Sequence, residues 1–146
     1  ALIFGALAAL SSGAPHSAQY ALYSILRNVN SGKYKFLDEL KEYEKRAILL
    51  KELFADFGFK IVYNQDADGK SLADGFYFTV SYPGLNGVKL VEKLLYYGIS
   101  LIPLNITGSS RLEGTRVCVS SVKPEQMPIM KERLALFVNN NPTPNN

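Results

Sequence analysis

The sequence is poor in the side chains on which most metal and redox chemistry depends. Its 146 residues include one cysteine, Cys118, and one histidine, His16. A single cysteine excludes an internal disulfide and a cluster of cysteine metal ligands, and this usage is typical of the reducing cytoplasm. His16 has no second histidine and no nearby cysteine with which to share a metal ion. We therefore expect no metal site and a cytoplasmic location.

The chain also lacks a strong excess of charge and a long apolar run. Its 16 basic residues are interleaved with 13 acidic ones, for a formal net charge of +3, so it has no basic stripe that would hold nucleic-acid phosphates. The apolar opening ALIFGALAAL has no basic flank and only about half the length that a bilayer requires. We expect neither nucleic acid nor a membrane as a partner, and we interpret the opening as a helix whose packing partner lies in a larger protein.

Apolar periodicity is what the chain does contain. Helical spacing predicts one helix over residues 17–30 and a longer one over residues 34–57, where Gly58 supplies a left-handed stop. The spacing then changes to two residues in FKIVY and GFYFTVSY, which predicts strands, with Phe78 and Val80 on one side and Tyr77 and Thr79 on the other.

The second half of the chain alternates between the two spacings. The segment NGVKLVEKLLYYG predicts a helix capped by Asn86, ISLIPL a short buried strand, TRVCVS another strand, and PEQMPIMKERLALFV a final helix. This order predicts an α+β fold: long N-terminal helices followed by a small mixed or antiparallel sheet covered by helices. We expect a single domain over residues 1–138, with residues 1–30 as a helix and interface segment that precedes its main body, and a disordered polar tail over residues 139–146.

One loop partly matches a calcium-binding pattern. In NQDADGKSLADG, the residues Asn64, Asp66, Asp68 and Gly69 stand at positions one, three, five and six of an EF-hand loop. Position twelve, which needs a bidentate Glu, is Gly75, and the flanking segments have strand periodicity instead of helical periodicity. The pattern therefore favours a hairpin-like connection without calcium.

A loop rich in small residues, SSGAPHSAQ, precedes the first periodic helix. Ser17 can cap that helix by accepting a backbone hydrogen bond, in which case the loop is a turn and nothing more. Small residues also let another backbone come close, and a helix N-terminus favours anions, in which case the loop meets a ligand or a partner chain. Spacing leaves both readings open.

Arg116 stands out because a strand carries it. In TRVCVS it shares a face with Cys118 and Ser120, and a rigidly held arginine on such a face usually has an anionic partner. That partner is either an internal carboxylate, Glu113 or Asp74, or the carboxylate of a ligand. We interpret Cys118 itself as a small buried apolar residue.

From about Ser11 to Phe137 the chain resembles the C-terminal part of the class I/II, fold-type I aminotransferases that depend on pyridoxal phosphate. The resemblance rests on the order and spacing of five segments: PHSAQYAL, LDELKEYEKRAILLKELFADFGFKIV, ADGFYFTVSY, LVEKLLYYGISLIP, and EGTRVCVS ahead of MKERLALF. It implies the small domain of a homodimeric enzyme that transfers an amino group between an amino acid and a 2-oxo acid. The turn PLNITGSS departs from the family, which often has a Pro-Gly-x-x-Phe-like turn there.

The resemblance also implies roles for individual residues. In the family a strand arginine holds the substrate α-carboxylate by two parallel hydrogen bonds, and the matching position is Arg116. The loop before the first periodic helix lies in the family near the subunit interface and the neighbouring cofactor, which singles out Ser12 and His16. The lysine that binds the cofactor has no counterpart among the lysines of this chain. No residue here is therefore assigned a catalytic role, and the chain alone is expected to be inactive.

Two other functions remain open. The first is a stand-alone interaction domain without catalysis, in which Arg116 makes a structural salt bridge and the apolar first ten residues bind a partner. The second is the domain of a related pyridoxal-phosphate-dependent acyltransferase or lyase, since these enzymes share the fold.

We predict that the 146-residue chain by itself forms no specific Schiff base with pyridoxal phosphate, because none of its lysines lies in the family's lysine motif. The test is a cofactor titration followed by visible absorbance, then borohydride reduction and peptide mapping. Weak labelling spread over surface lysines is the expected result, and one stoichiometrically labelled lysine would contradict the prediction.

Overall fold

Among the described residues, the part of the chain before the sheet is mostly helical, as the apolar spacing predicts. Helix α1 spans Ala8–Ser11, α2 spans His16–Asn30 and α3 spans Phe36–Asp56. Helix α2 begins at His16, directly after Pro15, whose φ of −56° already suits a first helical turn, and no side chain caps it. Ser17, which one of the two interpretations of the loop makes the helix cap, lies inside the helix and does not cap it.

The remainder of the chain combines an antiparallel sheet with two further helices. In chain order the strands are β1 Lys60–Val62, β2 Tyr77–Ser81, β3 Ile102–Pro103 and β4 Thr115–Cys118, and their order in the sheet is β1-β2-β4-β3. Helix α4 spans Gly87–Leu95 and α5 spans Met127–Asn140. The predicted α+β class is confirmed, and all three strand pairings are antiparallel.

The computed structural model describes residues 5, 8–11, 13–72, 75–110, 112 and 114–143. Their contacts divide the chain into two units, residues 1–40 and 41–146, where the sequence predicts a single domain over residues 1–138. All members of the described hydrophobic core belong to the second unit, which is why the contacts separate the first. Within the described helices, none combines the length and apolarity that a bilayer crossing needs.

One face of the sheet forms the core with three helices. Along β2 and β4 the side chains alternate between buried and partly exposed, and the inward residues Phe78, Val80 and Val117 are at most 3% exposed. The helices complete this core with pairs of fully buried side chains: Leu50 and Phe54 of α3, Leu90 and Leu94 of α4, Leu134 and Phe137 of α5. The apolar faces of the three helices and of the sheet thus form a single hydrophobic core.

Two helix boundaries agree with the sequence prediction. Gly58 ends α3 with a φ of +78°, a left-handed conformation that glycine adopts without steric cost. Asn86 caps α4 because its side-chain oxygen accepts a hydrogen bond from the Lys89 N–H at 3.0 Å.

Two segments differ from the expectation. The predicted buried strand ISLIPL is reduced to β3, where Ile102 is 39% exposed, because only this pair meets β4. The segment from residue 139, where the sequence predicts a disordered tail, begins with the end of α5 at Asn140, and the Tyr82 hydroxyl donates to the Asn141 carbonyl at 2.7 Å. The polar composition of the tail did not reveal this long-range bond.

We predict that Phe137→Ala destabilises the protein by about 3–5 kcal/mol, because it empties a fully buried site. The Phe137 ring lies 5.0 Å from the Tyr82 ring and 5.7 Å from those of Phe59 and Tyr97, centroid to centroid. Its neighbour Leu136 is 55% exposed, so Leu136→Ala is the matched control and should change the free energy of unfolding by about 0.5 kcal/mol or less. Urea unfolding of both variants provides the measurement, and equal losses would contradict the placement of Phe137.

Candidate functional site

Arg116 lies in a row of side chains that crosses all four strands. In the antiparallel register it pairs with Thr79 on one side and with Ile102 on the other, and Thr79 pairs in turn with Val62. Directly paired residues point to the same face of a sheet. This is the face opposite to the core, and Arg116 is half-buried on it together with Cys118, with which it shares a face as the alternation in TRVCVS predicts.

The guanidinium of Arg116 contacts an aromatic ring. Its Cζ lies over the Tyr77 ring, 4.5 Å from the centroid. No hydrogen bond or ion pair joins the Arg116 side chain to another residue in the part of the chain that the structure describes. Glu113 and Asp74, the two internal partners considered from the sequence, lie outside the described residues.

A cavity of about 410 Å³ adjoins this face. It lies between the segment that follows α4, strand β4 and the first turns of α5, and the side chains that give it its chemistry are Arg116, Cys118, Ser121, Met130 and Arg133. Among its described lining residues there are two arginines, no carboxylate and no lysine, and most of the others are apolar. A cavity of this size with cationic groups and an apolar wall suits a small organic anion.

The two arginines of the cavity differ in what they contact. Arg133 donates from Nη1 to the Gly98 carbonyl at 2.8 Å, beyond the C-terminal end of α4. A side chain at Gly98 would meet this guanidinium at 2.9 Å, so glycine is what lets Arg133 come so close. Arg133 thus has a structural partner, whereas Arg116 has only the Tyr77 ring among the described contacts.

Cys118 is not the buried apolar residue that the sequence indicates. It is half-buried beside the cavity, its Sγ lies 3.2 Å from the Ser120 hydroxyl, and the Ser121 hydroxyl donates to it at 3.1 Å. Burial raises the pKa of the Cys118 thiol, but the hydrogen bonds from both serines outweigh burial, so that the pKa lies below its ordinary value. The 3₁₀ turn that follows β4 brings these hydroxyls back towards the thiol.

The two other residues singled out by the sequence belong to the first unit. Ser12 lies outside the described residues, so its prediction stays untested. His16 is exposed at the start of α2, where it lines a surface depression with Gln19, Tyr20 and Tyr23.

The loop with the partial calcium pattern is a hairpin-like connection, as predicted. Gln65 and Ser71 form an antiparallel bridge, and one carboxylate oxygen of Asp66 accepts hydrogen bonds from the backbone N–H groups of Asp68 and Lys70 at 2.9 Å each. Asp66 therefore stabilises the turn itself. Across the described residues, no group of three or more His, Cys, Asp or Glu side chains could hold a metal ion.

The described residues do not fit a covalently bound pyridoxal phosphate. Such a cofactor needs a lysine amine directed into its pocket, and the described lining of the cavity contains none. The arrangement around Arg116 instead suits a carboxylate, which matches a guanidinium in charge and in planar geometry.

The fold is like that of the small domain of fold-type I aminotransferases. The solved structure of an aromatic aminotransferase from Pyrococcus horikoshii is similar with a TM-score of 0.54 and 20% sequence identity over 68% of this chain. The match covers 25% of that chain, so the present chain spans about a quarter of its length. No protein-family model and no curated protein matches the sequence. The small-domain-like fold expected from the sequence is confirmed.

Sequence reasoning missed Tyr77 as part of the site. Alternation places Tyr77 on the outer face of β2. Its contact with Arg116, however, depends on the pairing of β2 with β4, and α4 and β3 lie between these two strands in the chain. A signal in the sequence could have pointed to Tyr77: it is a large aromatic residue at a strand position that alternation leaves outside the core.

We predict that Cys118 reacts with iodoacetamide at a lower pH midpoint in the folded protein than in the urea-unfolded chain, because hydrogen bonds stabilise its thiolate. Ser121→Ala removes one donor, so its midpoint should move upward. Ser100→Ala, also at the cavity, is the matched control and should leave the midpoint unchanged. The pH dependence of the alkylation rate is the measurement, and identical midpoints in the folded and unfolded protein would contradict it.

Proposed function

We propose that this chain is the small domain of a pyridoxal-phosphate-dependent aminotransferase and that Arg116 binds the α-carboxylate of its amino-acid and 2-oxo-acid substrates. The observation that carries the proposal is an arginine on a sheet face opposite to the core, with no ion pair among the described residues, beside a cavity whose described lining has no carboxylate. The likeness in fold to the aminotransferase from Pyrococcus horikoshii supports it.

The geometry of a guanidinium explains why an arginine suits this task. Two parallel N–H groups donate to the two oxygens of a carboxylate, which fixes the plane of the carboxylate and so the direction of the bond to Cα. A rigid strand adds precision, because Arg116 starts from a backbone that is paired on both sides, with Thr79 and with Ile102. Orienting Cα in this way brings its proton to one defined place in the site.

The surroundings of Arg116 favour a strong interaction. The side chain is half-buried, and apolar residues such as Ile102, Ile129 and Met130 line the adjoining cavity. When a ligand excludes water there, the attraction between a carboxylate and a guanidinium is screened less than at an open surface. An internal acid such as Glu would compete with the substrate, and none lines the described part of the cavity.

The activity of the whole enzyme is part of the proposal. The chain spans about a quarter of the similar solved aminotransferase, so we assign the lysine and the other cofactor contacts to the rest of a full-length enzyme in the cytoplasm. In a homodimer of that enzyme, the loop with Ser12 and His16 would form part of the contact between subunits. The exposed position of His16 at the start of α2 leaves it accessible for such a contact.

An interaction domain is the second candidate function, and one observation favours it. None of the residues of α2 is buried. Even on its apolar side, Leu22, Ile25 and Leu26 are 47–57% exposed. A stripe of this kind usually packs against another protein surface. Kinetics separate the two candidates, because an interaction domain needs no carboxylate at Arg116.

We predict that Arg116→Gln in the full-length enzyme lowers kcat/KM by about 30-fold to several thousand-fold, since a neutral amide leaves a buried carboxylate unpaired. Arg116→Lys should recover only part of the loss, because a point charge does not hold the plane of the carboxylate. Transamination is measured with a panel of L-amino acids and 2-oxo acids, and the melting temperature is taken on the same preparations.

Arg46→Gln provides the matched control. Arg46 is an arginine of α3 that pairs with Glu42 at 3.3 Å and lies over the Tyr43 ring, so its loss removes comparable contacts away from the cavity. We expect its kinetics to stay near normal. An Arg116→Gln enzyme that is less stable but kinetically normal per folded molecule would rule out carboxylate binding and favour a structural salt bridge.

A further inference from the structure

The Tyr77 ring is the described partner of the Arg116 guanidinium. The distance of 4.5 Å from Cζ to the ring centroid is well inside the range of about 6 Å over which a cation is attracted to an aromatic face. Tyr77 pairs with Cys118 and Arg116 pairs with Thr79, so the two side chains are diagonal neighbours on one face of β2 and β4. The sheet register thus sets the contact before any ligand arrives.

We infer that Tyr77 is a positioning residue for carboxylate binding: its ring holds the Arg116 guanidinium in place for the substrate. The inference rests on the proposed function, because it needs Arg116 to bind a carboxylate. It adds a residue to the site that neither the sequence periodicity nor the likeness in fold assigns.

An aromatic partner suits an arginine that must bind an anion. A long side chain loses rotamer freedom when a ligand immobilises it, and a contact that restricts it beforehand lowers this cost. A carboxylate partner would also restrict Arg116, but it would occupy the N–H donors that the substrate needs. A ring attracts the cation through its π-face and leaves the N–H donors available. Among the described residues, the Arg116 guanidinium makes no hydrogen bond.

The neighbour of Tyr77 offers a close comparison. Phe76 is 43% exposed and Tyr77 is 45% exposed, but Phe76 packs against the Tyr43 ring, with centroids 4.8 Å apart in an edge-on arrangement. Replacing either residue by leucine therefore removes an aromatic ring of similar exposure, but only the Tyr77 ring contacts Arg116. Phe76→Leu separates a general effect of a lost ring from the loss of positioning.

The test uses the full-length enzyme with the best L-amino-acid donor of the panel. Tyr77→Leu should raise KM for the donor by about 3- to 30-fold with a smaller change in kcat, because it weakens binding of the carboxylate in ground state and transition state alike. Tyr77→Phe keeps the ring and should stay within about twofold of the wild type. Phe76→Leu should lower the melting temperature without raising KM.

A double mutant and a binding measurement complete the test. Added to Arg116→Gln, Tyr77→Leu should raise KM no further, since the ring acts only through the guanidinium. Calorimetry with 3-phenylpropionate, a carboxylate without an amino group, should show the same weakening for Tyr77→Leu as the kinetics.

Two results would overturn the inference and leave carboxylate binding by Arg116 intact. One is a normal KM for Tyr77→Leu together with a large loss for Arg116→Gln, and the other is an equal rise in KM for Phe76→Leu. Normal kinetics of Arg116→Gln itself would instead remove the proposed function on which the inference depends.

Discussion

One-sided burial of the two central strands is the constraint on which the rest of the structure depends. In β2 and β4 every second side chain belongs to the core with α3, α4 and α5, so the intervening side chains must point to the other face. A charged residue can occupy β4 only at those intervening positions, because full burial of an unpaired guanidinium costs several kcal/mol or more. The position of Arg116 follows from the same alternation that builds the core.

The outer face of β4 is neither fully buried nor fully exposed, and this affects the strength of the polar interactions there. Arg116 and Cys118 are half-buried, so hydrogen bonds and charges act there with less screening than at an exposed surface. At Cys118, burial raises the pKa of the thiol, but hydrogen bonds from Ser120 and Ser121 together lower it by more, so that the pKa lies below its ordinary value. The same conditions would strengthen the attraction between Arg116 and a carboxylate.

The fold and the function rest on different observations. A likeness at 20% identity, over about a quarter of the solved enzyme, establishes an architecture that an aminotransferase can use. The proposed role in substrate binding depends instead on the side chains around one cavity, where two arginines have different contacts. Arg133 is bound to the Gly98 carbonyl, while Arg116 has an aromatic neighbour and, among the described residues, no oxygen partner.

Local patterns determined much of this protein from the sequence alone. Spacing predicted the helices and the strands, Gly58 and Asn86 marked helix ends, and alternation placed Arg116 on one face with Cys118, because each of these depends on residues close together in the chain. Tertiary structure decided what depends on distant residues: the order of the strands, the short β3, and the extension of α5 that Tyr82 secures through the Asn141 carbonyl. The contact between Tyr77 and Arg116 belongs to this second group. Strand register brings these two side chains together, and register is set by the packing of the whole sheet on its helices.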